Sequence, residues 1–343
     1  MSHRTVKRHL RVALVCNTRR DEDEFQIEYD PPSTIELIKK GVENAGHEYL
    51  FIEGDEDCYE NLRRIRPDLV FNRAEGIRGE SRESHIPAFC EMLGIPYIGG
   101  GILTTAIGLD KPMTKIVLEF NGIKTAPFQV FSSVDEPMLP HVKFPLILKP
   151  SHEGSSMGIN WDNVVRDDAS MRKKLDEMLQ VYRQPILAEA FIDGREFSVG
   201  IIGNYGPGEE PIVLPVFEMD FSRLPKELGN VLGQKVKTTY DTYKNYVCSA
   251  RIPEELRSRL EDISLRAFKA LNCKDFARLD YRMGRNGEIF FLEINPLPGI
   301  DYDVTRDDGL SFYPVMVYAM GRDFDWMVET LIDTAARRYG LYG

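Results

Sequence analysis

The segment KDFARLDYRMGRNGEIFFLEINPLPG, residues 274–299, constrains the fold more than any other part of the chain. GRNG is a turn signal between two runs of strand-forming residues, so the segment is predicted to be a β-hairpin. Folding about that turn pairs Arg278 with Glu293 and Asp280 with Phe291. Because side chains alternate across a strand, one face is expected to be polar and one apolar. The polar face holds Arg278, Asp280, Glu293 and Asn295, and the apolar face holds Leu279, Tyr281, Phe290, Leu292 and Ile294.

The polar face has the chemistry of a cation site. Asp280 and Glu293 would repel each other unless a cation lies between them. Two carboxylates and the amide oxygen of Asn295 suit Mg²⁺, with Mn²⁺ as the alternative, and Mg²⁺ usually completes its shell with water and nucleotide phosphates. Arg278 could hold a carboxylate or a phosphoryl group through two bonds. The ordinary alternative is a solvent-exposed sheet face with an arginine–glutamate pair.

The residues NPLPG favour the cation site over an exposed sheet face. Asn-Pro and Pro-Gly end the strand abruptly. They leave the backbone N–H of Gly299 free to face a ligand, as an oxyanion donor would.

A second segment points to a nucleotide. HEGSSMGI, residues 152–159, directly follows the apolar strand FPLILKPS. Read alone, it could be a tight turn between two strands. Beside a Mg²⁺ hairpin, its glycines, backbone N–H groups and serine hydroxyls are expected to cover phosphates, with Lys149 at the strand end. It is not a Walker P-loop, because no GK[ST] opens a helix.

The remaining patterns predict an α/β protein in several units. The first third alternates strand and helix signals: LRVALVC, a helix from PPSTIEL with capping-box spacing at Ser33 and Glu36, DLVFN, a helix stopped by Gly94, and a strand IPYIGG. Next come a helix from Lys111 to Gly122, two antiparallel strands in FPLILKP and MGINW, and the strand QPILAEAFI. Further strands, the hairpin and two closing helices complete the chain.

Composition excludes several classes of protein. The net charge of −11 disfavours general nucleic-acid binding. No apolar run is long enough to cross a bilayer. The five cysteines are scattered without CxxC spacing, which indicates reduced thiols in a cytoplasm. The six histidines form no zinc-ligand pattern.

These motifs together resemble the D-alanine–D-alanine ligases of the ATP-grasp superfamily. The matching stretches are VFNRAEGIRGESRE, LGIPYIGG, LDKPMTK, ILKPSHEGSSMGI, AEAFIDGREFSV, FARLDY and FLEINPLPG. They follow the family's order from about residue 69 to 300. The resemblance implies an N-terminal open parallel α/β domain (1–110), a small central α+β subdomain (111–192) and a C-terminal α+β subdomain with a mixed or antiparallel sheet (193–343).

The resemblance also implies roles for particular residues. The residues implied for ATP are Lys111, Lys149, Glu153, Ser155, Ser156, Glu189, Ile192 and Glu196. Within that set, the two lysines and the loop serines face phosphates, Glu189 and the backbone near Ile192 face adenine, and Glu196 faces ribose. The implied Mg²⁺ ligands are Asp280, Glu293 and Asn295. The residues implied in catalysis are Arg278, Gly299, Ser155 and Lys244.

The chain departs from the family in its amino-acid half. The glycine-serine-glutamate motif expected after the first strand is missing, and Glu28 or Asp30 could replace its glutamate. Tyr240 of TYDTYKNY is retained, whereas Lys244 is shifted by one position. The run after LPG that holds the acceptor carboxylate reads IDYDVTRDDGLS. The part that binds ATP and Mg²⁺ is therefore expected to be intact and the amino-acid half altered.

The sequence thus predicts a cytoplasmic, ADP-forming carboxylate–amine ligase that joins two amino acids through an acyl phosphate. A ligase of the same family acting on another amino acid, a peptide or a small acid fits as well. Two further classes stay open: a non-catalytic ATP-binding regulator, and a carboxylase or kinase on the same fold. The expected partners are small molecules, not nucleic acid or membrane, and the resemblance implies a homodimer.

Overall fold

The computed structural model describes residues 8–21, 26–206, 209–239, 245–301 and 311–342. The first sheet is parallel, and two of its three strands are almost entirely buried. Its strand order is β2-β1-β3, with β1 (Arg11–Cys16), β2 (Glu48–Glu53) and β3 (Leu69–Arg73). Helices α1 (Pro32–Asn44) and α2 (Cys58–Ile65) connect these strands. The predicted βαβ pattern is confirmed, and the carboxyl ends of the strands lie at one edge.

The strand predicted at IPYIGG does not form. Its backbone exchanges two hydrogen bonds with Val70 of β3, through the carbonyl of Pro96 and the N–H of Ile98. Gly99 then takes a φ of +103° and turns the chain away from the sheet. Helices α3 (His85–Leu93) and α4 (Ile102–Leu109) flank this segment.

The capping box predicted at Ser33 is also wrong. Helix α1 begins at Pro32, and no side chain caps it. Proline at the first helical position already has the required φ, so Ser33 lies inside the first turn. The buried face of α1 contacts α10 (Phe324–Arg338), where a Cβ on Gly41 would lie 2.9 Å from Val328. The end of the chain thus packs on its beginning.

The second sheet is antiparallel and follows helix α5 (Lys111–Phe120). Its order is β4-β7-β5-β6, with β4 (Phe128–Phe131), β5 (Leu146–Pro150), β6 (Val164–Val165) and β7 (Ile186–Ala190), and it is accompanied by helix α6 (Asp168–Tyr182). MGINW was predicted as a strand, but the partner of β5 begins only at Val164. Ser155, Ser156 and Gly158 have positive φ, so the chain coils before it becomes extended.

The third sheet is antiparallel and contains the hairpin. Its order is β11-β10-β8-β12-β13, and β9 pairs with β8. The strands are β8 (Gly194–Ile202), β9 (Ile212–Val213), β10 (Phe217–Met219), β11 (Tyr246–Cys248), β12 (Phe276–Gly284) and β13 (Ile289–Asn295), with helices α7 (Gln234–Thr239), α8 (Glu254–Ala270) and α9 (Phe312–Ala319). The predicted α/β class with a parallel and two antiparallel units is confirmed. No helix in the described ranges has the length and apolar character needed to cross a membrane.

The register of the hairpin differs from the prediction. Arg278 pairs with Asn295, and Asp280 pairs with Glu293, because the turn is one residue longer and a β-bulge follows Asp280. Gly287 supplies the positive φ of that turn, +77°. The bulge leaves Leu292 unpaired and only partly buried, so it does not join the apolar face as expected.

Candidate active site

A cavity opens to solvent between the second and third sheets. Many of the residues predicted from the sequence line it: Lys149, Ser156, Glu189, Ile192, Glu196, Asp280 and Glu293. The rest of the wall is largely apolar, with Ile147, Ile159, Ala190, Phe191, Val231, Leu232 and Leu292. Apolar walls with a few convergent charges are typical of a small-molecule site.

A buried carboxylate at this cavity joins two lysines. Glu189 Oε1 lies 2.6 Å from Lys149 Nζ, and Glu189 Oε2 lies 2.6 Å from Lys115 Nζ. Burial opposes ionisation of Glu189, but the two ammonium groups outweigh it and lower the pKa of Glu189 to about 2. Burial lowers the pKa of Lys115, whereas the pKa of Lys149 is raised, since the attraction of Glu189 outweighs burial there. Lys115 was not among the residues predicted for the site.

A second buried pair lies on the same wall. Glu196 Oε2 is 3.3 Å from Arg282 Nη1. Arg282 also donates to the carbonyls of Gly194 and Asn230 and stacks near Phe191. Burial raises the pKa of Glu196 and lowers that of Arg282. For both residues, the effect of desolvation on the pKa is therefore larger than the attraction of the opposite charge. The strand alternation that placed Arg278 and Asp280 on this face also places Arg282 there. The sequence therefore already indicated that Arg282 belongs to the polar face.

The hairpin face brings the predicted polar residues into contact. Arg278 donates through Nε to Asp280 Oδ1 at 3.0 Å and through Nη2 to Asp280 Oδ2 at 2.9 Å. Asn295 Nδ2 donates to the same carboxylate at 3.3 Å. Lys111 Nζ lies 3.6 Å from Glu293 Oε2. Protein cations therefore balance both carboxylates, which answers the repulsion expected from the sequence.

The donor set of this face fits a hard cation. Burial opposes ionisation of Glu293, but Lys111, Lys237, Lys149 and Arg278 outweigh it and lower the pKa of Glu293 to about 2, so the carboxylate stays charged. Its neighbour Asp280 is the residue opposite it in the ladder. Two carboxylates across one ladder, with the amide of Asn295 beside them, form an oxygen-rich set of the kind that Mg²⁺ uses. No cluster of three or more His, Cys, Asp or Glu side chains in metal-binding arrangement occurs in the described ranges.

The glycine loop lies against both the cavity and the first domain. Ser155 and Ser156 take φ values of +46° and +59°, a conformation that non-glycine residues rarely adopt. Ser156 Oγ donates to the carbonyl of Leu232 at 2.8 Å. The backbone carbonyl of Glu153 accepts from Lys111, and its side chain accepts from Gln184 at 2.7 Å. Lys111 thus links this loop to Glu293 of the hairpin.

The turn after the hairpin is held from the first sheet. Arg73, at the end of β3, donates Nη1 to the carbonyl of Pro298 at 2.8 Å and Nη2 to Asp30 Oδ1 at 3.0 Å. No described residue accepts a backbone hydrogen bond from the N–H of Gly299. Tyr240 and Lys244 lie outside the described residues, as do residues 302–310 of the altered run.

Comparison with known proteins identifies the family. A family model described as D-ala D-ala ligase C-terminus matches residues 117–333. The chain is 30% identical to the D-alanine–D-alanine ligase of Aquifex aeolicus (strain VF5), over 94% of this chain and 100% of that protein. The chain belongs to the D-alanine–D-alanine ligase family. The predicted resemblance is confirmed, and with it the assignment to the ATP-grasp carboxylate–amine ligases.

Two further proteins are similar to this member of the family over nearly its whole length. A protein of Sinorhizobium fredii (strain NBRC 101917 / NGR234) named "Uncharacterized protein y4sG" is 31% identical, over 96% of this chain and 98% of that protein. The crystal structure of D-alanine–D-alanine ligase from Bacillus anthracis complexed with ATP superposes with a TM-score of 0.74 at 22% identity, over 97% of this chain and 99% of that one. The structural likeness confirms the ATP-grasp fold.

This ligase-family chain also carries charged residues at the first sheet that the sequence reasoning missed. Arg82 Nη2 lies 2.9 Å from Glu28 Oε2 and 3.2 Å from Glu153 Oε2. Glu75 and Glu83 are each only 8% exposed beside this group. Glu75, Arg82 and Glu83 all fall within VFNRAEGIRGESRE, so the signal was the density of charge directly after a buried strand.

We expect Glu83→Gln to make the protein less sensitive to alkaline pH. Burial first, and then the charge of Glu28, raise the pKa of Glu83 to about 7 from its ordinary 4.5. The folded state then binds the proton more tightly than the unfolded state. The contribution of Glu83 to stability is therefore complete below about pH 4.5 and is lost as the pH rises through 7. Glutamine removes this term, so the melting temperature at pH 8 should rise by about 3 °C or more.

Thermal unfolding at pH 5 and pH 8 measures that gain. Glu60→Gln is the matched control, because Glu60 is an exposed glutamate of α2 whose side chain is 67% accessible. A Glu83→Gln protein whose melting temperature follows that of wild type at both pH values would contradict the expected ionisation.

Proposed function

We propose that this protein is an ADP-forming ligase that joins a carboxylate to an amine through an acyl phosphate. A carboxylate oxygen of the first substrate attacks the γ-phosphorus of ATP, and ADP leaves. The amine nitrogen of the second substrate then attacks the acyl carbon. The bond from that carbon to the phosphate oxygen breaks, inorganic phosphate leaves, and the amine loses a proton. No protein nucleophile takes part, so the residues act by positioning and by electrostatics.

One observation carries this proposal. The cavity combines an apolar wall that suits a planar ring with the charged side chains of Lys149, Asp280 and Glu293. Lys111 adds a second lysine beside Glu293, 3.6 Å away. Lysines and a cation-binding carboxylate pair converging on one side of an apolar cleft are what a nucleoside triphosphate requires.

The remaining roles are assigned along the cavity. Lys111, Lys149 and the loop residues Glu153, Ser155 and Ser156 would lie along the phosphates. Glu189, the backbone at Ile192 and Glu196 would lie along the nucleoside. Because Glu189 already holds two lysines, it would also fix Lys149 in place. A loop that folds over the phosphates excludes water that would hydrolyse the acyl phosphate.

The hairpin supplies the reacting end of the site. Asp280, Glu293 and Asn295 would hold Mg²⁺, which when bound neutralises charge on phosphate oxygens. Arg278 lies beside them with its fork fixed by Asp280. Arg278 and the N–H of Gly299 would stabilise the negative oxygen that develops when the amine attacks. Lys244 is assigned to this end on the family resemblance alone.

The organisation of the chain is part of the proposal. The division into segments 1–110, 111–192 and 193–343 is supported by the sheets, since the strands of each sheet fall within one segment. A homodimer and a cytoplasmic location rest on the family resemblance. Light scattering coupled to gel filtration would test the homodimer.

Phosphate release from ATP and Mg²⁺, measured over single and paired L- and D-amino acids, tests the function. We expect release that depends on the amino acid, a hydroxamate when hydroxylamine replaces the amine, and a product mass equal to both substrates minus water. ATP that binds without such release would support a regulatory protein instead. A stable phosphorylated product without an amide would indicate a kinase.

A further inference from the structure

Three glutamates lie together at the carboxyl edge of the parallel sheet and are called here the acidic cluster: Glu28, Glu75 and Glu83. Glu28 acts on the pKa of both other carboxyls, which places all three in one electrostatic group. Arg82 is paired with Glu28 and also bonds the carbonyl of His152 at 2.9 Å. The charge of Arg82 thus acts on all three carboxyl groups of the cluster, while its side chain also bonds the glycine loop.

Two members of the acidic cluster have no partner. Glu75 and Glu83 are each more than nine-tenths buried, and neither side chain makes a hydrogen bond or ion pair within the described ranges. Buried carboxylates are normally paired, because an isolated buried charge is costly. Burial and then Glu28 and Glu83 raise the pKa of Glu75, which reflects the same shortage of positive charge.

An adjacent residue shows the same shortage independently. Asp30 is 1% exposed, and its Oδ1 binds Arg73, but its Oδ2 is buried without a hydrogen-bond partner. Arg73 is influenced by both Asp30 and Glu75, so these carboxylates lie around the same guanidinium. Arg73 also bonds the carbonyl of Pro298, so its single charge is shared between Asp30 and Glu75.

The acidic cluster faces the reaction site. Lys111 is among the charges that act on Glu83. A Cβ on Gly154 of the glycine loop would lie only 2.0 Å from Glu28 Oε1. Strand ends of a parallel sheet are where ligands bind in such folds. A substrate bound beside Lys111 and the glycine loop would therefore lie next to these glutamates.

We propose that the acidic cluster selects a carboxylate substrate with two ammonium groups, a diamino acid, over a neutral amino acid. This inference rests on the proposed ligase function. Asp30 Oδ2 can accept a hydrogen bond from one ammonium group, and the Glu75–Glu83 pair can accept from a second. An aliphatic side chain would bury against these carboxyl groups without supplying the hydrogen bonds that they lack.

Matched substrate pairs test the selection. Each diamino acid is compared with the neutral amino acid in which a methyl group replaces its terminal ammonium: 2,3-diaminopropionate with 2-aminobutyrate, 2,4-diaminobutyrate with norvaline, and ornithine with norleucine, in both enantiomers. We expect kcat/KM for phosphate release to be at least about tenfold higher for the diamino member of one pair, as expected for a desolvated charge pair. Glu75→Gln and Glu83→Gln should each reduce that ratio by about tenfold, whereas Glu60→Gln should not change it.

The outcomes separate this inference from the ligase function. Turnover with an equal or higher rate for the neutral member of every pair overturns the selection and leaves the ligase standing. Unchanged ratios in both glutamine variants, with melting temperatures at or above wild type, overturn the role of the cluster. If no pair is turned over, calorimetric titration of the ADP-bound protein decides. Tighter binding of a diamino acid supports the selection, and equal or absent binding overturns it.

Discussion

Arg278→Lys should lower kcat for phosphate release by about 10²- to 10³-fold, the loss typical of removing one donor to a developing oxyanion. Arg278 is held by three hydrogen bonds to Asp280, and its guanidinium lies 5.3 Å from the centre of the Phe312 ring. Lysine keeps the charge, but it cannot bind Asp280 through a fork and present a second N–H to substrate at the same time. The loss should therefore fall on kcat rather than on ATP affinity.

Arg285→Lys is the matched control on the same hairpin. Arg285 is also paired with an aspartate, Asp193, at 2.6 Å, but its side chain is 84% exposed. Calorimetry with ATP and steady-state kinetics are measured on both variants. If Arg278→Lys turns over within about twofold of wild type, Arg278 does not stabilise the reacting oxygen. If it loses ATP binding in parallel with kcat, the residue holds the site together and does not act on the transition state.

The sequence predicted best what depends on short-range alternation. The polar face of the hairpin follows from the period of a strand, and it formed with Arg278, Asp280 and Asn295 in contact. The register was wrong because a longer turn and a bulge each shift the pairing by one residue. Neither has a strong signature, since a bulge depends on which strands pair on both sides.

The sequence predicted least well what depends on distant contacts. Lys115 and Glu189 are 74 positions apart, and Arg73 bonds a carbonyl 225 positions away. Such pairs arise only when the sheets pack together, so each residue alone resembles an ordinary surface charge. Lys115 did offer a weak signal, because it lies four positions after Lys111 and so on the same side of α5.

Glu189→Gln should destabilise the fold by about 3–5 kcal/mol, the cost typical of removing one partner from a buried ion pair. The change leaves Lys115, fully buried, and Lys149 facing each other without an anion. Without Glu189, burial and the neighbouring lysine would depress the pKa of Lys115 further. The unfolded state then binds more protons, so the variant should become more stable as the pH rises from 7 to 9.

Wild type should show a smaller rise, because Glu189 opposes the effect of burial on the pKa of Lys115. The pKa of Glu189 is lowered to about 2, so its stabilising effect is complete above pH 4.5 and is lost only as the pH falls toward 2. Urea unfolding at pH 7 and pH 9 measures both effects. The control is Glu288→Gln, which breaks a lysine–glutamate pair of the same 2.6 Å length with Lys124 on the surface and should have a much smaller effect on stability. Equal losses of stability in the two variants would mean that burial does not strengthen the pair. Adding Lys115→Met to Glu189→Gln should recover stability only if the unpaired ammonium group of Lys115 causes the loss.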